Sequence, residues 1–211
     1  ECNVANLPEI VRLAKKYDAS VMVDEAHGIG VFGRGGRGTC DHFGVSKDVD
    51  LIMGTFSKSF ASLGGFIACD KSITNYLRHH SRSYIFTASI TPASTAAAMA
   101  ALEIMQQEPQ LQEQLWALTH YALEGFRNMG CEIGNTSTPI IPLFIRDNYK
   151  TFAITRDLLE EGIFVNPVVS PAVAPQDTLI RFSLMATHTK DQVTTALEKI
   201  QKVFKKHGIL K

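Results

Sequence analysis

The chain has 211 residues, 45% of them hydrophobic and 20% charged, which suits a soluble globular protein and excludes a disordered one. Lys and Arg number 21 and Asp and Glu number 21, so the net charge is zero. That balance argues against a basic nucleic-acid binder or an acidic tail, and no apolar run approaches the roughly 18 residues of a transmembrane helix.

Residues 7–17 are the first predicted element, an amphipathic helix in which Ile10, Val11, Leu13 and Ala14 recur at helical spacing against Glu9, Arg12, Lys15 and Lys16. Ser20 to Val23 is a short apolar run that stops abruptly at Asp24-Glu25-Ala26-His27-Gly28. Such a run predicts a strand buried on both faces, as in a parallel sheet. Residues 33–38 (GRGGRG) read as a flexible basic loop. Residues 50–54 predict a second buried strand, followed at once by Thr55-Phe56-Ser57-Lys58-Ser59, and residues 64–69 predict a third.

Helices follow over 91–106, where Pro92 suits a first helical position, and over 109–129, closed by Gly130. Beyond the polar stretch 134–138 come a strand at 139–145, a helix at 151–161, strands at 163–166 and 179–185, and a last helix at 190–207. That β-α-β-β-α order predicts a small α+β domain, so the chain divides into domains 1–133 and 134–211.

The cysteines, Cys2, Cys40, Cys69 and Cys131, lie too far apart for a CxxC pair, and the chain is long enough to fold without disulfides. Free thiols in a reducing cytoplasm are expected. The first residues lack the basic region and apolar core of a secretory signal. The chain does not begin with Met and its first strand already sits near residue 20, so it reads as a portion of a longer protein.

In open α/β sheets, ligands bind beyond the carboxyl ends of the strands. Asp24 and His27 follow the first strand, and Thr55, Ser57 and Lys58 follow the second, so these groups are expected to line one crevice. Pyridoxal phosphate (PLP) needs such a set: a carboxylate to keep its pyridine nitrogen protonated, a lysine for its aldehyde and hydroxyls for its phosphate. Taken singly, each residue has a plainer reading, Asp24 as a helix cap, Lys58 as a solvated surface group and His27 as a loop histidine. The combination on neighbouring strands, with Gly54 and Gly64-Gly65 permitting close backbone approach, favours the cofactor.

Asp24-Glu25-Ala26-His27 also spells the DEAH signature of a helicase group. No G-x-x-x-x-G-K-[ST] loop accompanies it, which excludes that reading. No metal is expected either: His79 and His80 are adjacent, about 100° apart on a helix, and no His-Glu-x-x-His occurs.

VMVDEAHGIGVFGRGGRG, DLIMGTFSKSFASLGGF, RSYIFTASITPAS and LIRFSLMATHTKDQV, in this order, resemble the α-oxoamine synthases. These are fold-type-I PLP enzymes that join an amino acid to an acyl-CoA with loss of carbon dioxide. The resemblance spans essentially the whole chain. It implies an α/β fold, part of the large aminotransferase-like PLP domain followed by a small α+β domain.

Thr-Phe-Ser-Lys-Ser and Tyr-Ile-Phe-Thr-Ala-Ser are most similar to the branch that condenses L-serine with a long-chain acyl-CoA for sphingolipid synthesis. The 8-amino-7-oxononanoate synthases and glycine C-acetyltransferases are the alternatives, and more often carry Gly where Ser57 stands. The resemblance implies that Lys58 forms the Schiff base, Asp24 pairs with the pyridinium, His27 meets the ring's phenolic oxygen and Thr55 and Ser57 meet the phosphate. It further implies that Thr87 reaches the phosphate of a neighbouring subunit's cofactor in a homodimer, and that Arg181 binds the amino acid's carboxylate.

The family's Arg-Pro-Pro-Ala-Thr-Pro stretch has no counterpart arginine in residues 169–175. Family chains begin well upstream of Glu1, so a C-terminal portion is expected, inactive by itself. A non-enzymatic folding or interaction module is the remaining alternative.

Overall fold

Helix α1 (Leu7–Lys16) has Pro in its first turn and buries Leu7 and Val11 in the computed structural model, which describes residues 2–211. The chain divides into two compact units, Ala5–Gln112 and Glu113–Lys211, with residues 2–4 joining the second.

In the first unit, β1 (Met22–Asp24) and β2 (Leu51–Thr55) pair in parallel, Met22 with Leu51 and Asp24 with Met53. β3 (Gly65–Cys69) then pairs antiparallel with β2, Gly54 facing Phe66. The sheet is therefore mixed rather than parallel throughout. Nor is β1 buried on both faces. Val21 and Val23 pack with Leu7 and Cys40, the latter from α2 (Thr39–His42), while Met22 is 57% exposed. Alternation along a strand sends successive side chains to opposite faces, and α1 and α2 cover only one of them.

The 33–38 stretch differs from expectation too. It forms a fixed turn: Gly30 N–H donates to Gly36 O (2.8 Å) and Arg34 N–H to the Asp41 carboxylate (2.8 Å). Its glycines adopt the positive φ angles that the turn requires.

α3 (Lys71–His80) and α4 (Arg82–Ile85) are additional helices. Their sequence signal is Asp70, whose carboxylate caps α3 by accepting from Ser72 N–H at 2.8 Å. α5 (Pro92–Gln107) begins at its Thr91 cap as expected.

α6 (Gln110–Asn128) crosses the division between the units at its first turn. Its Leu115, Leu118, Ala122, Leu123 and Phe126 are buried, and Phe126 meets Phe182 edge-on at 5.1 Å. The helix therefore packs with the C-terminal unit, whereas its sequence position precedes the polar 134–138 stretch.

That unit holds an antiparallel sheet in the order β4 (Ile140–Phe144), β6 (Leu179–Ser183), β5 (Asn166–Val168). α7 (Asn148–Glu160) and α8 (Lys190–Lys206) complete it. α7 starts earlier than its apolar pattern suggests because Asp147 caps it, accepting from Lys150 N–H at 2.7 Å. No helix among the described residues is long and apolar enough to cross a membrane.

Candidate active site

β1 and β2 run parallel, so both carboxyl ends open on one edge of the sheet. Asp24 ends β1 and is exposed. Its Oδ1 accepts from Ala26 N–H at 2.8 Å, turning the chain away from the strand. His27 stands exposed in that turn.

Glu25 points the other way and is 1% exposed. Its two carboxylate oxygens accept from the N–H groups of Thr39 (2.8 Å) and Cys40 (2.7 Å), capping α2 from inside. A Cβ at Gly28 would lie 1.9 Å from Glu25 Oε2, so only glycine leaves room for this carboxylate. Burial, and secondarily Glu25, pushes the Cys40 thiol up to about 12. Glu25 is a positioning residue missing from the sequence-level site. Its signal is the alternation of the strand, which turns it inward as Asp24 turns outward.

At the end of β2, Thr55 Oγ1 lies 2.9 Å from Ser57 Oγ and also accepts from Ser57 N–H at 3.2 Å. The loop beyond is closed by Phe56 N–H donating to Gly64 O (2.9 Å) and held down by Phe60, 6% exposed, whose ring meets Phe56 at 5.2 Å. Lys58 rides on this anchored loop with its side chain exposed. Ser59 Oγ donates to Ile29 O at 2.8 Å, tying the lysine loop to the turn that follows His27.

Gly54 serves the protein's own packing: a Cβ there would lie 2.5 Å from the Phe66 ring. The close approach attributed to it is thus between β2 and β3.

Asp24, His27, Thr55, Ser57 and Lys58 therefore come to one sheet edge. Thr87 lies past α4 in the same unit and is exposed beside Phe86, itself 80% exposed. Arg181 belongs to the other unit. It sits on β6 between Pro142 of β4 and Asn166 of β5, and its Nε is buried with no hydrogen-bond partner.

The family model for aminotransferase class I and II matches residues 2–200. The chain belongs to that family. It is 62% identical over 210 residues to a serine palmitoyltransferase of Bacteroides ovatus, covering 100% of this chain and 53% of that one. Against an 8-amino-7-oxononanoate synthase of Petrotoga mobilis the identity is 44% over 208 residues, covering 99% and 53%. The structure of an S. paucimobilis serine palmitoyltransferase variant with a bound PLP–myriocin adduct superposes with a TM-score of 0.94 at 32% identity, covering 99% of this chain and 53% of that one. The chain thus spans about half the length of these relatives.

Proposed function

We propose that the chain carries the lysine side of the active site of a PLP-dependent acyltransferase that condenses L-serine with a long-chain acyl-CoA, releasing CoA and carbon dioxide. The observation that carries the reading is the shared edge of β1 and β2, with a carboxylate at one strand end and paired hydroxyls beside a lysine at the other. The higher identity to a serine palmitoyltransferase than to an oxononanoate synthase supports serine and a long acyl chain.

The donor set fits PLP. Thr55 and Ser57, whose oxygens lie 2.9 Å apart with Thr55 Oγ1 donating to Gly64 O at 3.2 Å, would turn their hydroxyls from these partners to the oxygens of one phosphate. Asp24 would hold the proton on the pyridine nitrogen, and His27 would contact the phenolic oxygen. Lys58 would secure the cofactor through its aldehyde. Bound there, PLP supplies an electron sink for the charge left on the amino acid's Cα.

With the cofactor bound, Lys58 Nζ would also be the group that accepts the Cα proton of serine and later returns one. Arg181 holds the serine carboxylate: a buried, unpartnered Nε–H is a costly group that an anionic acceptor would satisfy. Thr87 serves the phosphate of a second copy's cofactor, making the enzyme a homodimer. The cysteines are all unpaired, which accords with a cytoplasmic setting.

The test is made on the natural-length protein that carries this chain. Labelled serine with palmitoyl-CoA is expected to give a labelled long-chain aminoketone and one CoA thiol per product. Borohydride treatment of the holoprotein is expected to fix the cofactor on Lys58, found by peptide mapping. Product from alanine and pimeloyl-CoA, with none from serine, would assign the oxononanoate reaction instead. A cofactor fixed on another lysine would sink the site.

A further inference from the structure

From Lys71 to Leu102 the chain carries no aspartate or glutamate, yet it carries Lys71, Arg78, Arg82 and the pair His79-His80. In a molecule of zero net charge this is a local positive patch. The C-terminus of α3 favours cations through its dipole. That accounts for Arg78, but not for Arg82, which lies beyond the Ser81 cap.

Some exposed cations meet carboxylates, Arg12 with Glu9, Lys202 with Glu161 and Lys206 with Asp157, while others, such as Lys16, Arg37 and Lys47, share with this patch the lack of an ion pair among the described residues. Among the described residues no ion pair involves Arg78 or Arg82, and both are exposed.

An aromatic surface accompanies the charge. The rings of Tyr76 and His80 stack with centroids 4.1 Å apart and planes 7° apart, and both residues are exposed. The Nδ1 atoms of His79 and His80 lie 2.8 and 3.0 Å from the carbonyls of Asn75 and Tyr76, leaving Nε2 of each ring for an external partner. Guanidinium groups suit phosphate oxygens, and a flat aromatic pair offers stacking to a purine. The same segment runs on through α4 to Thr87.

We infer that the α3–α4 junction binds the 3′-phospho-ADP end of the acyl-CoA substrate, Arg78 and Arg82 taking its phosphates and the Tyr76–His80 pair its adenine. The inference rests on the acyl-CoA reading above and adds the place where the nucleotide is held. No bond is made or broken there; the patch anchors the handle of the thioester.

The test is calorimetric titration of the natural-length holoprotein with free CoA and with 3′-dephospho-CoA. Wild type is expected to prefer CoA. The R78A/R82A double variant, altered only at exposed positions, is expected to bind CoA roughly tenfold or more weakly and to lose the preference. Raised salt should weaken wild-type binding more than variant binding. In the assay, KM for palmitoyl-CoA rises in the variant while KM for serine and the rate with palmitoyl-N-acetylcysteamine hold.

Equal CoA affinity in wild type and variant, or no CoA binding by either, overturns the inference. Product from serine and palmitoyl-CoA together with equal CoA affinity would sink the nucleotide site and keep the reaction. CoA binding that depends on both arginines, with no such product, would keep the site and sink the reaction.

Discussion

The two units divide their labour. In Glu113–Lys211 the side chains of Phe126, Ile141, Leu143, Ile154, Leu158, Ile180 and Ile200 are wholly buried. In Ala5–Gln112 the buried apolar side chains are fewer, Leu7, Val11, Val21, Val23, Phe32, Cys40, Phe60 and Ala98, and in this chain, which spans about half the length of its relatives, Leu63, Met99 and Phe86 stand 68%, 60% and 80% exposed. The candidate chemistry lies almost entirely on the second of these, the thinly packed unit. Exposed polar groups at strand ends add little to folding, so such an edge depends on a scaffold kept rigid by other means. Here those means are hydrogen bonds of buried or anchored groups: from the first N–H groups of α2 to the Glu25 carboxylate, from Ser59 to Ile29 O and from Phe56 N–H to Gly64 O.

The sharpest way to break this division is at Lys58. Lys58→Ala in the natural-length protein should lower turnover by about a thousandfold or more, since anchoring and proton transfer both need that amine. Its exposure predicts that the unfolding free energy of the cofactor-free protein is unchanged within about 0.5 kcal/mol, whereas the holoprotein loses what the anchored cofactor contributes. Steady-state assay and urea titration of one preparation check both halves. Turnover near that of wild type would remove Lys58 from the mechanism.

Phe126→Ala makes the converse case. The side chain is fully buried and packs edge-on against Phe182, so its loss should cost about 3–5 kcal/mol. Activity per folded molecule should hold. A loss of stability below about 1 kcal/mol would mean that the C-terminal core repacks freely.

How much of this was legible in the sequence follows from which interactions are local. Strand ends at Asp24 and Thr55 were readable because apolar runs stop abruptly there, and the β-α-β-β-α order after 139 was readable from periodicity. The reversed direction of β3 was not, since an apolar run has no polarity; direction is set by the short loop from Phe56 to Gly64. The one-sided burial of β1 was hidden because Met22 is apolar but faces outward. β5 begins at Asn166 rather than at residue 163 because it pairs through Asn166 to Val168 with β6, a long-range register that local composition does not encode.

Glu25 tests whether the thin unit is held as argued. Its carboxylate satisfies two backbone N–H groups in a buried setting. Glu25→Ala should leave those donors unpaired at a cost of about 1–3 kcal/mol, and should also lower turnover, because Asp24 is its immediate neighbour. Glu25→Gln, which keeps one acceptor oxygen, should recover part of both. Stability lost with turnover untouched would show that the sheet edge does not depend on this cap.

The smallest expected effect is a pH dependence confined to the well-packed unit. Asp157 on α7 lies within hydrogen-bond reach of Lys206 Nζ (2.8 Å) and His207 Nε2 (2.7 Å) at the end of α8, with Arg156 at 3.3 Å. Glu160, Glu161 and Lys202 line the same cleft. Lys206 first, and then His207, hold the Asp157 carboxyl well below the usual carboxylate range. A group whose pKa is lower in the folded state than in the unfolded one binds its proton more readily when unfolded. Its contribution is therefore fully present above the ordinary aspartate value of about 3.9, and is lost as pH falls below that toward the folded pKa. Asp157→Asn should flatten the stability profile between about pH 4 and pH 2, with little change in shape above pH 5. Urea midpoints measured across that range check it. An Asn variant that keeps the wild-type acid slope would assign the slope to other carboxylates, Glu132 beside Arg146 and Glu161 beside Lys202 being held low in the same way.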